Sequence, residues 1–194
     1  MRFHIALLLA AVPIAYQQEI YNVTLRRINN EVPLLNSQFN QSNFTYNYNP
    51  SYIPIYSKKT GLLVHDALLV RSQDTDNTKW GVGQSKMPLA RFDFNQTTET
   101  VTFDYINNDD IVFESKTIEE DYGVEDPRVA YRELDQTYYM FYSAVETLTT
   151  RVASMLSLAT TQTPWIKESW VRHGYVFPTI DWSKSGALIL RDAE

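Results

Sequence analysis

From residue 50 onward the sequence breaks into short apolar or alternating runs, at 52–56, 62–71, 89–94, 100–105, 111–114, 128–133, 138–145, 151–159 and 187–190. Turn formers separate them, among them Lys59-Thr60-Gly61, Asp74-Thr75-Asp76-Asn77, Asn107-Asn108-Asp109-Asp110 and residues 183–186. Runs of this length read as strands, and no long segment keeps a helical period. Only 151–159 is ambiguous, since its Ala, Met and Leu are also good helix formers. The expected fold class is therefore all-β. Thirteen Tyr, nine Phe and four Trp suit pleated, half-buried surfaces, and aromatic faces are also common in sugar-binding clefts.

Many short strands at regular spacing leave a sandwich, a barrel or a propeller. A weak internal repeat tilts the choice. Leu68-Leu69-Val70-Arg71 leads to Trp80-Gly81-Val82-Gly83-Gln84-Ser85, and Tyr138-Tyr139-Met140-Phe141-Tyr142-Ser143 leads to Ser157-Leu158-Ala159-Thr160-Thr161. A third copy would begin at Ala187-Leu188-Ile189-Leu190. A spacing of roughly 50–70 residues fits propeller blades with long insertions better than sandwich hairpins.

Ahead of these strands lie two segments of different texture. Residues 1–15 read as a secretory signal: Arg2 and His4 precede the short apolar run 5–12, which is too short to span a bilayer. A buried N-terminal strand is the competing reading. Residues 16–48 are rich in Asn, Gln and Ser and read as a polar surface arm, with Val32-Pro33-Leu34-Leu35 able to pin it to the body. Four glycosylation sequons, at Asn22, Asn40, Asn43 and Asn95, agree with a secreted, extracellular product of a eukaryotic cell. A net charge of −6 offers no basic stripe for nucleic acid. The chain has no cysteine and only His4, His65 and His173, so neither a disulfide framework nor a structural zinc site is expected, and no metal.

The residues best suited to chemistry stand together in Tyr122-Gly123-Val124-Glu125-Asp126-Pro127-Arg128-Val129. Gly123 permits a close backbone approach. Pro127 is expected to push Asp126 into an extended conformation, with its carboxylate projecting from the start of a strand. Arg128 falls on the same side of an extended chain, where it could orient or neutralise a carboxylate or a bound anion. This suits an acid–base group acting on a polar substrate. A turn braced by an Asp–Arg ion pair suits it equally.

The same residues, with Tyr138-Tyr139-Met140-Phe141-Tyr142-Ser143-Ala144, resemble the signature of glycoside hydrolase family 130, five-bladed β-propeller enzymes that are mainly β-mannoside phosphorylases with some hydrolases. Asn49-Pro50 with Leu68-Leu69-Val70-Arg71 is similar to the family's first-blade asparagine–proline and strand-end arginine. Leu158-Ala159 with Trp165, and Ser183-Lys184-Ser185-Gly186-Ala187-Leu188, resemble its later motifs. The resemblance covers about residues 49–194 and implies a funnel at the propeller axis. It implies Asp126 as the catalytic proton donor of an inverting reaction, with Arg71, Glu125, Arg128 and Lys184 contacting substrate or phosphate. No cofactor is implied beyond inorganic phosphate as a co-substrate. The partner is an oligosaccharide or glycan.

The residue count sets a limit on that reading. At roughly 40–50 residues per blade, residues 49–194 hold about three blades of a five-bladed, incomplete propeller. An open ring leaves an edge for missing C-terminal blades or a partner to cover, and little or no catalysis is expected of this chain alone. Two other readings compete: a non-catalytic glycan-binding propeller fragment, and a neighbouring propeller family such as the arabinanases and xylosidases of family 43. His173 is expected to be structural. Of Trp80, Trp165, Trp170 and Trp182, most are expected in blade cores, although any could stack on sugar.

Overall fold

The computed structural model describes residues 44, 46–57, 59–73, 84–98 and 100–190. The expected signal, nearly all of the polar arm, three of the four sequons, and Trp80 with residues 81–83 of the repeat lie outside the described residues. Among those described, regular structure is strands and three single-turn 3-10 segments. The ambiguous 151–159 run is a strand.

Two antiparallel sheets follow one another along the chain. The first is β1 (Tyr46–Tyr56), β2 (Leu63–Gln73), β3 (Met87–Asn95) and β4 (Thr100–Phe103), paired in chain order, with β5 (Ile111–Phe113) added to the other end of β3. The second is β6 (Gly123–Arg132), β7 (Thr137–Thr147), β8 (Val152–Thr161) and β9 (Val171–Tyr175), also paired in chain order. Two consecutive four-stranded meanders are what neighbouring propeller blades require. The chain is an all-β, partial β-propeller.

The strand limits differ from the sequence reading in instructive ways. β1 starts at Tyr46, inside the stretch read as polar arm, because the Tyr48 ring packs beneath Arg71 of β2, 4.6 Å from its guanidinium carbon. β9 had no clear signal in Val171-Arg172-His173-Gly174-Tyr175, whose residues are mostly polar or exposed at a sheet edge. Conversely, 187–190 form no ladder although their composition is strand-like. A strand needs a neighbour, and residues 187–190 pair with none of the described strands.

One core joins the sheets. Ile53, Leu69, Met87 and Phe113 of the first meet Val124, Tyr138, Met140 and Tyr142 of the second in a single buried cluster that also takes in Trp170. Alternation along β7 explains the placement: Tyr138, Met140, Tyr142 and Ala144 all face inward. Tyr138 also carries a polar link between the sheets. Its hydroxyl donates to the Pro54 carbonyl at 2.7 Å and accepts from the Tyr56 N–H at 3.3 Å. Its burial raises the phenol pKa to about 12.

On the far side, the connection into β6 is locked by a buried carboxylate. Glu120 accepts from Arg172 Nε at 2.8 and 3.0 Å, from the Tyr142 hydroxyl at 2.7 Å and from the Lys116 N–H at 2.9 Å. Arg172 in turn lies 4.1 Å over the Phe113 ring. A buried charge so fully partnered fixes the backbone from which β6 departs.

Tyr138→Phe is expected to lower stability by about 1–3 kcal/mol, because two backbone groups in the inter-sheet core lose their partner. The measurement is a urea unfolding curve: the midpoint should fall at unchanged slope.

Candidate active site

The first and innermost strands of the two sheets, β1 and β6, carry the same device. Each has an X-Pro pair at which the strand register slips. Between Tyr48 and Ser51 the two residues Asn49 and Pro50 oppose a single residue of β2; between Glu125 and Arg128 the two residues Asp126 and Pro127 oppose a single residue of β7. Both are β-bulges with a proline inside, where its missing N–H leaves no ladder bond unmade. The residue before each proline is left-handed, Asn49 at φ 47° and Asp126 at φ 52°. Asn and Asp are the side-chain-bearing residues that best tolerate this region.

This overturns two expectations. Asp126 is not extended, and it lies within β6 and not at its start; the bulge outweighs the usual pre-proline preference. A bulge re-aims a side chain, and here it turns Asp126 toward the first sheet. Asn49 Nδ2 donates to Asp126 Oδ1 at 2.6 Å, and Arg71 Nη1 reaches the same oxygen at 3.1 Å. Neither donor engages Oδ2.

Arg128 donates to the Pro127 carbonyl at 2.7 Å, and neither it nor Asp126 is among the residues that line the neighbouring cavity. Arg71, from the other sheet, takes the role expected of it. Its Nη2 pairs with Glu125, its Nη1 with Asp126, and its Nε donates to Ser85 Oγ at 3.0 Å. Ser85 is also held by Gln73 Nε2, and Gln73 accepts from the Tyr48 hydroxyl. The three charged side chains are largely buried, with 13%, 18% and 11% of Arg71, Glu125 and Asp126 exposed.

Gly123 makes the approach of β6 to the first sheet feasible. Its φ is 132°, and a Cβ there would stand 2.9 Å from the Ser85 nitrogen. The glycine is thus required twice, for conformation and for contact.

A cavity of about 550 Å³ opens beside this cluster, lined by Tyr48, Asn49, Arg71, Glu125, Trp182 and Lys184, with Tyr122 and Ser154. Lys184 is exposed, and its ammonium lies 5.0 Å from the centre of the Trp182 ring. The structure therefore gathers Arg71, Glu125 and Asp126 tightly and places Lys184 among the residues lining the cavity beside them. Tyr48, Gln73 and Ser85 were not anticipated. The matching Asn-Pro and Asp-Pro pairs were the available signal that two bulges face each other. His173 bonds Thr160 at 2.8 Å, away from this cavity, and Trp170 is core.

Burial raises the Glu125 pKa above the ordinary 4.5, outweighing Arg71, whose attraction is divided between two carboxylates; the Asp126 charge adds to the rise and Lys184 opposes it. Burial likewise pushes the Tyr48 phenol up.

An anchored carboxyl, a guanidinium and a cavity with aromatic walls thus stand together on a partial β-propeller, an arrangement suited to binding a polar ligand. Residues 79–193 match the profile of glycoside hydrolase family 130, described as beta-1,4-mannooligosaccharide phosphorylase. That is more than half of the chain, and the protein belongs to this family. Among solved structures it is similar to a glycosyl hydrolase from Bacteroides ovatus, at 22% identity and a TM-score of 0.49, over 72% of this chain and 34% of that one. Another, at 19% identity and a TM-score of 0.47, covers 70% of this chain and 33% of its own. It is described under the finding that the family of mannoside phosphorylases contains glycoside hydrolases that target beta-1,2 mannosidic linkages in Candida mannan. This chain thus spans about a third of the length of these structures. No curated protein matches it.

The raised Glu125 pKa has a sign. Between pH 4.5 and the raised value the folded state holds the proton that the unfolded chain releases, so stability falls as pH rises through that interval. Glu125→Gln is expected to flatten this fall, read as the difference between wild-type and variant urea midpoints over a pH series.

Proposed function

We propose that this chain supplies the proton-donor side of a site that cleaves β-mannosidic bonds, with Asp126 as general acid. As the bond from the anomeric carbon to the glycosidic oxygen breaks, its electron pair leaves with the oxygen, which takes the Asp126 proton. Inorganic phosphate or water forms the new bond at the anomeric carbon from the opposite face, with inversion. Arg71 and Asn49 hold Oδ1 and so present Oδ2 to the ligand. Glu125, its pKa raised by burial, contacts sugar hydroxyls. Lys184 is the cavity cation available to a phosphate, since Arg71 is already committed to two carboxylates. No cofactor is required. Arg128 acts on the ligand only if a substrate draws its guanidinium from the Pro127 carbonyl.

The observation that carries this reading is the double anchoring of Asp126 Oδ1 from the neighbouring sheet, at 2.6 and 3.1 Å, beside an open cavity. Further sheets, from the same or another chain, complete the ring and supply the remaining contacts, so turnover by the chain alone is expected to be weak. The test measures binding and turnover of β-1,4-mannotriose with and without phosphate. Asp126→Asn should leave binding within about threefold and reduce bond cleavage by roughly 10²–10⁴-fold. No β-mannooligosaccharide binding at millimolar concentration would refute the reading.

Export and glycosylation are proposed on the sequence of residues 1–15 and the four sequons. Asn95 supports this: it is exposed at the β3–β4 turn, with its Oδ1 accepting from the Thr97 and Thr98 N–H groups. Expressed in a eukaryotic cell, the chain should reach the medium and shift in mass on N-glycosidase treatment, with one step of that shift lost in Asn95→Gln. An unglycosylated chain retained inside the cell would count against it.

A further inference from the structure

The part of the cavity lined by Trp182 and Ser154 has a feature that the proton-donor cluster leaves unused. Trp182 is 59% exposed and lines the cavity with Ser154 and Lys184. An indole so exposed is ordinarily a mobile surface group. Here the backbone holds it in place. Ser154 and Trp182 form a parallel bridge, the Ser183 N–H donates to the Ser154 carbonyl at 2.8 Å, and the Leu156 N–H donates to Ser183 Oγ at 3.0 Å. On one flank Arg151 pairs with Asp181. On the other, Gly186 lies so close to β7 and β8 that a Cβ would come within 2.7 Å of Leu156 and 2.9 Å of Phe141. Residues 181–186 are thus pinned to the second sheet without being a strand of it.

A second observation is independent of the first. Ser154 is 3% exposed, yet its Oγ has no hydrogen-bond partner. Buried hydroxyls are nearly always satisfied, and this one belongs to a residue of the cavity wall. A fixed aromatic plane beside an unsatisfied hydroxyl matches a particular ligand chemistry. A pyranose ring offers an apolar face of C–H groups and a rim of hydroxyls, whereas phosphate offers only charged oxygens.

We propose that Trp182 and Ser154 form a sugar subsite in this cavity, in which one hexose ring of the ligand stacks on the indole and bonds Ser154 Oγ through a hydroxyl. The proposal rests on the β-mannoside reading above and deepens it. Trp182 sets affinity for a neutral sugar unit, while the Arg71, Glu125 and Asp126 cluster acts at the bond to be broken.

The experiment titrates the chain and its Trp182→Ala, Trp182→Phe and Ser154→Ala variants with β-1,4-mannotriose and, separately, with inorganic phosphate, by calorimetry. Trp182→Ala should weaken mannotriose binding by about tenfold or more, Trp182→Phe should restore much of it, and Ser154→Ala should weaken it by about threefold to tenfold. Phosphate affinity should not change. Mannotriose binding that is equal in wild type and Trp182→Ala would overturn the subsite while leaving the mannoside reading intact. Equal losses of sugar and phosphate binding would show a collapsed segment and overturn it also. A wild-type chain that binds phosphate but no mannoside would remove the mannoside reading, and the subsite with it.

Discussion

The guanidinium of Arg71 is shared between two carboxylates that belong to the other sheet, and most of the architecture follows from that sharing. Two buried acids side by side repel each other, and each is costly to remove from water unless paired. Arg71 meets Glu125 and Asp126 together, with Ser85 fixing its third nitrogen and the Tyr48 ring beneath its plane. The sheets can dock at this point only because the cation from one neutralises the acids from the other. Truncating Arg71 would leave Glu125 without its cation and Asp126 with Asn49 alone, a far larger penalty than the net worth of an exposed ion pair.

The repeated bulge is what delivers those acids to the arginine. Asn49 and Asp126 occupy equivalent positions on neighbouring inner strands, in the same left-handed conformation and each ahead of a proline. Their side chains meet, and the chemical difference between them decides the outcome. An amide at 49 can donate to the carboxyl at 126, as Asn49 Nδ2 does at 2.6 Å; a carboxylate at 49 has no such donor. Backbone strain of this kind persists only where surroundings over-determine it and is concentrated at functional sites. The docked partner sheet, the Ser51 hydroxyl bonded to the Val129 N–H at 2.8 Å, and Gly123 against Ser85 provide that constraint.

Opposite walls of the cavity have unlike characters. One is a rigid, buried charge cluster built from three strands. The other is a clamped segment with an exposed indole and an exposed ammonium. Under the proposed function, which needs a proton at one atom and orientation over a whole sugar ring, the two walls divide the work between electrostatics and contact area. The Glu120–Arg172 network stands well away from both and serves the backbone: it fixes the 117–122 connection from which β6 enters the site.

The sequence alone determined that the chain is β-structure and that its strands form propeller-type blades, and it singled out Glu125 and Asp126 with several candidate cations. Those facts are written in local patterns: two-residue alternation in Tyr138 to Ala144, turn residues between runs, and a compact Glu-Asp-Pro-Arg motif. Tertiary structure alone decided which cation serves which acid. Arg128 is adjacent in sequence but bonds the Pro127 carbonyl, whereas Arg71 is distant in the chain and adjacent in space. Strand assignment at 46–48 and 171–175, and its absence at 187–190, was equally non-local, because a ladder depends on the neighbour available and not on the residues that would join it. A register slip of one residue reverses the face every side chain presents, and whether a strand slips is settled by what packs against it.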